Sequence, residues 1–347
     1  YPNLDVLKRF ANSLKLRMAM HIVKVNPERA KQWAEEAVAS GVIETEDQEI
    51  GFINSVTGGG NPMVEIWNSW SDTRLGAGYE QVLRAYNHPF LDMLFEKNTR
   101  IVNAKEPNNT LEAGTKVCGI LAGAHVGQEQ GSTSNPYNGF SQLNPKAMGS
   151  APLYLMKLSE VCFLRAEGAV RGWNMAGTAK EFYEKGIREA NVIDRTLQHR
   201  SLRHKYENAV DNYLTIESAT PFTYVDPTGN DADRVSQITV GVKWNDSDSQ
   251  ETKLEKIITQ KYIAGFPNSL EAWVDLRRTG YPRLFNMLNM ADGDGSLKDG
   301  DVIRRIPFAG TTDNATLEEI NATGLKALGG DDKQGTRLWW DVNAPNF

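Results

Sequence analysis

Cysteine is nearly absent from this chain. Only Cys118 and Cys162 occur among the 347 residues, so the count excludes a disulfide framework and allows one bridge at most. Neither cysteine has the spacing of a metal site. We expect Cys162 to be a buried free thiol, because it lies within the apolar helical run 158–164.

Long apolar runs and an excess of basic residues are also missing. No stretch reaches the roughly 18 apolar residues that cross a bilayer. No secretory signal is present, since Tyr1 opens directly into an amphipathic helix, which predicts a processed, truncated or incomplete N-terminus. The net charge is -6 and the basic residues are scattered among acidic ones, so no nucleic-acid partner is expected.

Catalytic motifs are lacking as well. The sequence contains no Gly-x-Ser-x-Gly elbow, no His-Glu-x-x-His and no phosphate loop. The three glycines at 58–60 have neither a strand before them nor a helix after them, so they predict a flexible loop and not a nucleotide site. We therefore expect a protein without catalytic residues or a cofactor.

Metal-ligating residues form no recognisable set. The five histidines are dispersed, and His199 and His204 are five positions apart, which does not align them on one helix face. Asp226, Asp231 and Asp233 make a loose acidic loop without the spacing of an EF-hand. A solvated turn is favoured there over a weak calcium site, and no metal is predicted.

Two helical hairpins are predicted, in residues 1–50 and 151–200. In the first, Asn26 and Pro27 have the chemistry of an N-cap and a first helical residue, and Gly41 ends the second helix. In the second, apolar and small residues recur at helical spacing over 153–171 and 178–191. Such pairs are typical of tetratricopeptide-like stacks, although no exact period repeats.

The rest of the chain alternates loops with isolated helices. Residues 51–150 are rich in Gly, Asn and Ser and predict a loop-rich insertion with short helices at 79–86 and 89–97. Residues 201–347 predict C-terminal loops and helices, with one strong helix at 249–263 and a mostly irregular tail from Tyr281. We expect one domain over 1–347, mainly α, with long irregular insertions.

Aromatic residues in loops are the candidate ligand-binding residues. A sugar ring stacks its C–H face on an aromatic ring, while Asn, Asp and Arg bind its hydroxyls, so flat aromatics among short polar residues suit a carbohydrate. Burial for packing remains the favoured interpretation of each residue taken singly. The candidates are Trp67, Trp70, Tyr79, Tyr137, Phe140 and Trp244.

The segment 254–282 has the densest pattern in the chain. Glu271, Asp275, Arg277 and Arg278 could suggest an active site. On a short helix that ends at Gly280 they are better explained by ion pairs and C-cap bonds that fix the exit of the chain. We interpret the segment as structural.

This segment resembles the signature of the SusD/RagB family. Similar motifs follow the family order at 8–17, 164–174, 183–187, 304–308 and 338–341. One motif departs from the pattern: the family's Asn-Asp-Pro-Arg-Leu is Asn87-His88-Pro89-Phe90-Leu91 here, so its Asp and Arg are lost. The pattern resembles the C-terminal portion of the family, with the N-terminal part missing before Tyr1.

The resemblance implies a function as well as a fold. It implies a helical, non-enzymatic protein whose loops hold an oligosaccharide, at the cell surface on an outer membrane, tethered by an N-terminal lipid anchor that this sequence does not contain. It also implies a SusC-like TonB-dependent transporter as partner. Two alternatives stay open: peptide uptake within the same family, and a helical scaffold that binds only proteins. A glycosidase would need two carboxylates across a cleft, about 5–10 Å apart, and no such pair is evident.

Overall fold

Helices are the main regular secondary structure in the described part of the chain, which has only a few short strands. The computed structural model describes residues 3–52, 61–125, 135–149, 151–190, 200–290, 293–308, 310 and 313–347. The predicted loops at 58–60 and 131–134, and His199, lie outside these ranges. The helices are α1 (Leu4–His21), α2 (Pro27–Ala39), α3 (Pro62–Val64), α4 (Ala77–Ala85), α5 (Phe90–Leu94), α6 (Pro145–Met148), α7 (Leu158–Val170), α8 (Ala179–Arg188), α9 (Arg200–Tyr213), α10 (Gln250–Ala264), α11 (Ser269–Thr279), α12 (Asn314–Glu319) and α13 (Leu325–Leu328). The strands are β1 (Ile50–Phe52), β2 (Leu153–Met156), β3 (Thr223–Tyr224) and β4 (Arg234–Val235), paired antiparallel as β1 with β2 and β3 with β4.

The first hairpin is confirmed. The Asn26 side chain accepts a hydrogen bond from the backbone N–H of Arg29 at 3.0 Å, and Pro27 begins α2. Three alanines, Ala30, Ala34 and Ala37, are buried on α2 and let it lie close to α1. The N-cap therefore fixes where α2 begins, and the buried alanines allow the two helices to pack closely.

The second hairpin forms as predicted, but its first helix starts later than expected. Thr178 and Glu181 make a reciprocal capping box at the start of α8, with bonds of 2.9 and 3.2 Å. At the other end of the pair, residues 153–156 form β2 and not helix. The prediction was wrong there because a short apolar run shows no clear periodicity, so its sequence does not distinguish a strand from a helix.

The main core lies where α10 packs on α7 and α8. Leu254, Ile257 and Ile258 of α10 are buried with Phe163 of α7. Cys162 is a buried free thiol, as expected, and burial raises its pKa to about 12. Such a thiol acts as a small hydrophobe and not as a nucleophile.

The region 61–149 is loop-rich, as predicted, with short helices. The helix expected over 89–97 is limited to α5, because Phe95 turns into an antiparallel bridge with Leu143. The tail after Tyr281 is mostly irregular, as expected, apart from α12 and α13. The missed start signal is Asp313, whose carboxylate accepts a hydrogen bond from the N–H of Thr316 at 2.8 Å.

The charged segment is structural, as interpreted. Arg278 of α11 is buried and makes ion pairs with Glu167 at 2.7 Å and Asp275 at 2.8 Å. Lys261 reaches the same Asp275 at 2.6 Å. Gly280 ends the helix with φ +82°, a left-handed conformation that glycine adopts without strain.

His88 stands in an aromatic cage where the family motif has an aspartate. Its ring centroid lies 4.4 Å from Phe90, 5.8 Å from Tyr206 and 4.9 Å from Tyr213. Burial lowers the pKa of His88 to about 3, so the ring is neutral at physiological pH. Packing and a bond of 3.2 Å from the N–H of Phe90 to Nδ1 hold this turn.

The acidic loop closes on itself. The buried carboxylate of Asp226 accepts hydrogen bonds from the N–H of Thr228 at 3.1 Å, the hydroxyl of Thr228 at 2.7 Å and the N–H of Asp231 at 2.9 Å. These bonds engage both carboxylate oxygens of Asp226 within the loop itself. Within the described ranges, no three His, Cys, Asp or Glu side chains are grouped as a metal site.

Candidate ligand-binding cleft

The candidate site is an open cleft of about 770 Å³ beside the main core. One wall is the segment between α3 and α4, and the facing wall is the turn from α10 into α11. The chain after α11 completes it. The aromatic residues that line it are Trp67, Tyr79, Tyr262, Phe266, Trp273 and Phe285.

Two predicted aromatics form the floor of the cleft. Tyr79 is 7% exposed, and its hydroxyl donates to the carbonyl of Ile263 at 2.9 Å. Its ring stacks on Phe266 with 5.0 Å between centroids, and Trp67, 5% exposed, meets Phe266 edge-on at 6.4 Å. The fold therefore brings Trp67 and Tyr79 together, but it commits most of their surface to packing.

The more accessible aromatic faces come from α10, α11 and the turn between them. Tyr262, Phe266 and Trp273 are only half-buried. Trp273 is fixed by a hydrogen bond of 2.8 Å from its indole N–H to the carbonyl of Ile303, and the guanidinium of Arg277 lies 3.7 Å from its ring centroid. A fixed aromatic ring with an open face suits stacking on an apolar ligand surface.

Sequence reasoning assigned these residues a structural role only. Charged residues dominate their segment, 254–282. We explained those charges and did not predict that three rings of the segment line a cleft. The signal that was present is the turn Gly265-Phe266-Pro267-Asn268, which breaks the helical run and leaves Phe266 at the cleft. A ring at such a break has no helix face to pack on.

Polar groups complete the lining. Arg74 is 6% exposed and donates from Nη1 to the carbonyls of Ser71 and Thr73, both at 2.9 Å, and burial lowers its pKa. Arg283 makes an ion pair with Glu255 at 2.8 Å. Asn268, Asn286 and Asp301 supply further hydrogen-bonding side chains.

Tyr137 lies next to the cleft through Arg74. Its ring centroid is 4.9 Å from the guanidinium, and its hydroxyl donates to the carbonyl of Asp72 at 2.7 Å. Trp70 is 62% exposed and is not part of the cleft lining. An exposed tryptophan and a half-buried tyrosine thus flank the outer side of this wall.

The other two predicted residues lie in cores. Phe140 is buried in a small cluster with Ile101 and Cys118. Trp244 packs on Tyr183 with 5.1 Å between ring centroids, and its indole N–H donates to Asp246 at 2.8 Å. The structure does not bring either residue to the cleft.

A family comparison identifies the chain. The family model of Susd and RagB outer membrane lipoproteins matches residues 3–341. The chain belongs to the SusD-like family. The match corrects the expectation of a C-terminal portion only, since the family model runs over nearly the whole of this chain.

Solved SusD-like structures share its fold. A chitin-binding SusD homologue from Flavobacterium johnsoniae is 38% identical, with a TM-score of 0.78 over 99% of this chain and 65% of its own. A homologue from Bacteroides vulgatus is 33% identical, with a TM-score of 0.81 over 100% of this chain and 64% of its own. One from Bacteroides thetaiotaomicron is 31% identical, with a TM-score of 0.78 over 99% and 66%. No curated protein matches the chain.

These matches confirm the predicted fold class, mainly α with tetratricopeptide-like helical pairs. This SusD-like chain spans about two thirds of the length of the solved homologues. Its family is one of outer membrane lipoproteins. Among the described helices, none combines the length and the apolar character needed to span a bilayer.

Proposed function

We propose that this SusD-like protein captures an oligosaccharide at the cell surface and delivers it to a SusC-like TonB-dependent transporter of the outer membrane. The observation that carries the proposal is the cleft, in which half-buried aromatic rings stand beside amide and guanidinium groups. Rings supply stacking area, and the polar groups select hydroxyls. A protein of this kind is a binding protein and not an enzyme, held to the membrane by a lipid anchor.

The class of glycan is suggested by a relative. The 38% identical homologue from Flavobacterium johnsoniae is described as chitin-binding. Chitin chains present alternating apolar faces and N-acetyl groups, which aromatic rings and amide side chains recognise. Trp273, Phe266 and Asn268 lie in one lining and offer both kinds of contact.

Isothermal titration against a glycan panel tests the proposal. The panel contains chitin hexasaccharide, maltoheptaose, xylohexaose and polygalacturonate, with a mixed peptide library as the comparison. We expect binding to at least one glycan and a loss of roughly tenfold or more for Trp273→Ala, because one well-packed aromatic contact contributes about that much. Thermal unfolding of the variant checks that it is folded.

A second tryptophan provides the matched control. Trp339 is 70% exposed and does not line the cleft, so Trp339→Ala should bind as the parent does. Binding to peptides but to no glycan would replace the proposal with peptide uptake. If neither class binds, and the Trp273→Ala protein still captures proteins from its own outer membrane, a protein-binding scaffold is the better account.

A further inference from the structure

We infer that the cleft takes an acidic glycan, one whose sugars carry carboxylates, and that Arg74 is the residue that pairs with the carboxylate. The inference rests on the proposed function: it keeps glycan capture but puts an acidic glycan in place of the neutral chitin class that the relative suggests. The chain has a net charge of -6, so general electrostatic attraction does not favour a polyanion. Recognition of an acid would have to come from a local cation.

Arg74 is such a cation, because its partners among the described residues are all neutral. Its Nη1 donates to two backbone carbonyls, and its Nη2 donates to the hydroxyl of Ser71 at 2.8 Å and the amide oxygen of Asn138 at 3.4 Å. Its Nε has no hydrogen-bond partner. No carboxylate of the described residues lies within ion-pair distance of this guanidinium. A cation removed from water in this way retains an uncompensated charge.

Three of the other buried arginines are paired with a carboxylate. Arg165 pairs with Glu44, Arg278 with Glu167 and Arg305 with Asp332. Arg277 makes no ion pair among the described residues, but its guanidinium lies between the rings of Trp273 and Trp340, and the charge of Asp341 acts to raise its pKa. Arg74 resembles Arg277 in having no ion pair among the described residues and an aromatic ring, that of Tyr137, 4.9 Å away. It differs in that no carboxylate acts on its pKa and in that it lines the cleft.

One more buried group without a partner lies in the same lining. The indole N–H of Trp67 has no hydrogen-bond partner among the described residues. Buried polar groups normally have partners, and groups without one mark strain or function. The lining thus contains two such groups, one on Trp67 and one on Arg74.

The remaining charges of the cleft do not neutralise Arg74. The positive charge of Arg283 is matched by Glu255 at 2.8 Å. Asp301, the acidic residue of the lining, accepts a hydrogen bond from the N–H of Lys298 at 2.9 Å and makes no ion pair with Arg74. A ligand carboxylate placed near Arg74 would therefore meet an unmatched positive charge beside aromatic faces.

Esterification gives a test with the unaltered protein. Polygalacturonate and its methyl ester share a backbone but differ in charge, and alginate and hyaluronan extend the acidic set. We expect the free acids to bind at least about tenfold more tightly than the ester or chitin hexasaccharide, since charge-assisted bonds are roughly twice as strong as neutral ones. Affinity electrophoresis at two salt concentrations measures the difference.

Variants then assign the effect to one residue. Arg74→Gln should remove the preference for the free acid, and Arg74→Lys should retain part of it. Arg29→Gln, which makes the same change on the exposed face of α2, should leave the preference intact. Thermal unfolding identifies a variant that fails to fold, and the esterification result does not depend on any variant.

Each outcome separates the inference from the function it rests on. Equal affinity for acid and ester, binding only to neutral glycans, or an acid preference that survives in folded Arg74→Gln would each overturn the inference and leave glycan capture standing. Binding to no glycan at all would overturn the proposed function itself. If the preference for the acid is lost in Arg74→Gln and kept in Arg29→Gln, the result supports both the inference and the proposed function.

Discussion

Arg278 and Glu167 face each other through two parallel hydrogen bonds, each 2.7 Å long, from Nη1 to Oε1 and from Nη2 to Oε2. Both side chains are 1% exposed. The pair joins α11 to α7, and Arg171 and Asp275 bind the same two groups from either side. The segment that carries the cleft's aromatic rings is therefore bonded directly to the second helical hairpin.

Removing one partner of this pair should destabilise the protein strongly. Arg278→Gln leaves the carboxylate of Glu167 buried beside fewer cations, and breaking a buried pair on one side costs about 3–5 kcal/mol. The free energy of unfolding in urea measures the loss. Lys243→Gln, which breaks an exposed pair with Glu217, is the control and should not change the unfolding midpoint. Equal midpoints for the two variants would contradict the prediction.

The same network makes stability fall in acid. Burial acts to raise the pKa values of Glu167 and Asp275, but the cations around them outweigh it and lower each pKa to about 2. Carboxylates with depressed pKa values stabilise the fold above their unfolded pKa values, which are 4.5 and 3.8. That stabilisation is lost progressively as the pH falls from those values towards 2.

Urea titrations between pH 6 and pH 2.5 check this dependence. We expect a loss on the order of a few kcal/mol for the parent protein. Glu167→Gln should start from a lower stability and show a shallower decline, because one of the two titrating groups is gone. A slope identical to that of the parent would show that Glu167 does not carry the acid sensitivity.

Restoring the family's aspartate at position 88 should harm this protein. The cage of Phe90, Tyr206 and Tyr213 offers no cation, so an ionised carboxylate would be buried without a partner. We expect His88→Asp to be less stable than the neutral isostere His88→Asn by about 3 kcal/mol or more at pH 7, measured by urea unfolding. The difference should shrink below pH 5, where the carboxylate protonates more readily. No difference at pH 7 would show that the cage admits water.

His88 also gives the parent a second pH dependence. Its pKa is lowered to about 3 in the fold from the ordinary value of 6.5, so the unfolded chain takes up the proton first. Stability should therefore decline as the pH falls below 6.5, in a step that His88→Asn lacks. The chemical shifts of the imidazole ring, followed by NMR, should stay those of a neutral ring down to pH 4.

Two predicted tryptophans should respond in opposite ways to truncation. Trp244→Ala removes a ring packed on Tyr183 in the main core and should cost about 3–5 kcal/mol of unfolding free energy. Trp70→Ala removes an exposed ring and should change stability by less than about 0.5 kcal/mol. Thermal unfolding of both variants measures the two changes in stability. A large loss for Trp70→Ala would indicate that its ring packs in solution.

Local patterns predicted the helices well because their signals lie within a few residues. Asn26, Thr178 and Ser249 each cap the helix that follows, and each cap is visible in the sequence. The strand at 153–156 was missed because it is short and pairs with β1, about 100 positions earlier. A local sequence pattern cannot indicate a pairing partner so far away in the chain.

The cleft was predicted less well, for a different physical reason. Trp67 and Tyr79 were selected for their loop surroundings. Phe266 packs on both rings, and Trp273 joins them in the cleft lining, only through the tertiary fold. The same loop surroundings also selected Phe140 and Trp244, which the fold buries elsewhere. Whether an aromatic ring faces a cleft or a core depends on partners distant in the sequence.

The separation of those partners has a consequence for how the chain folds. In the cleft, the hydrogen bond from Tyr79 to Ile263 spans 184 positions. Elsewhere, the ion pair of Arg278 and Glu167 spans 111 and that of Arg17 and Glu160 spans 143. Contacts between distant positions raise the contact order, and a high contact order slows folding. The cleft should therefore be among the last features to form, after the helical hairpins, and the half-folded chain should present its rings to solvent for as long as that step takes.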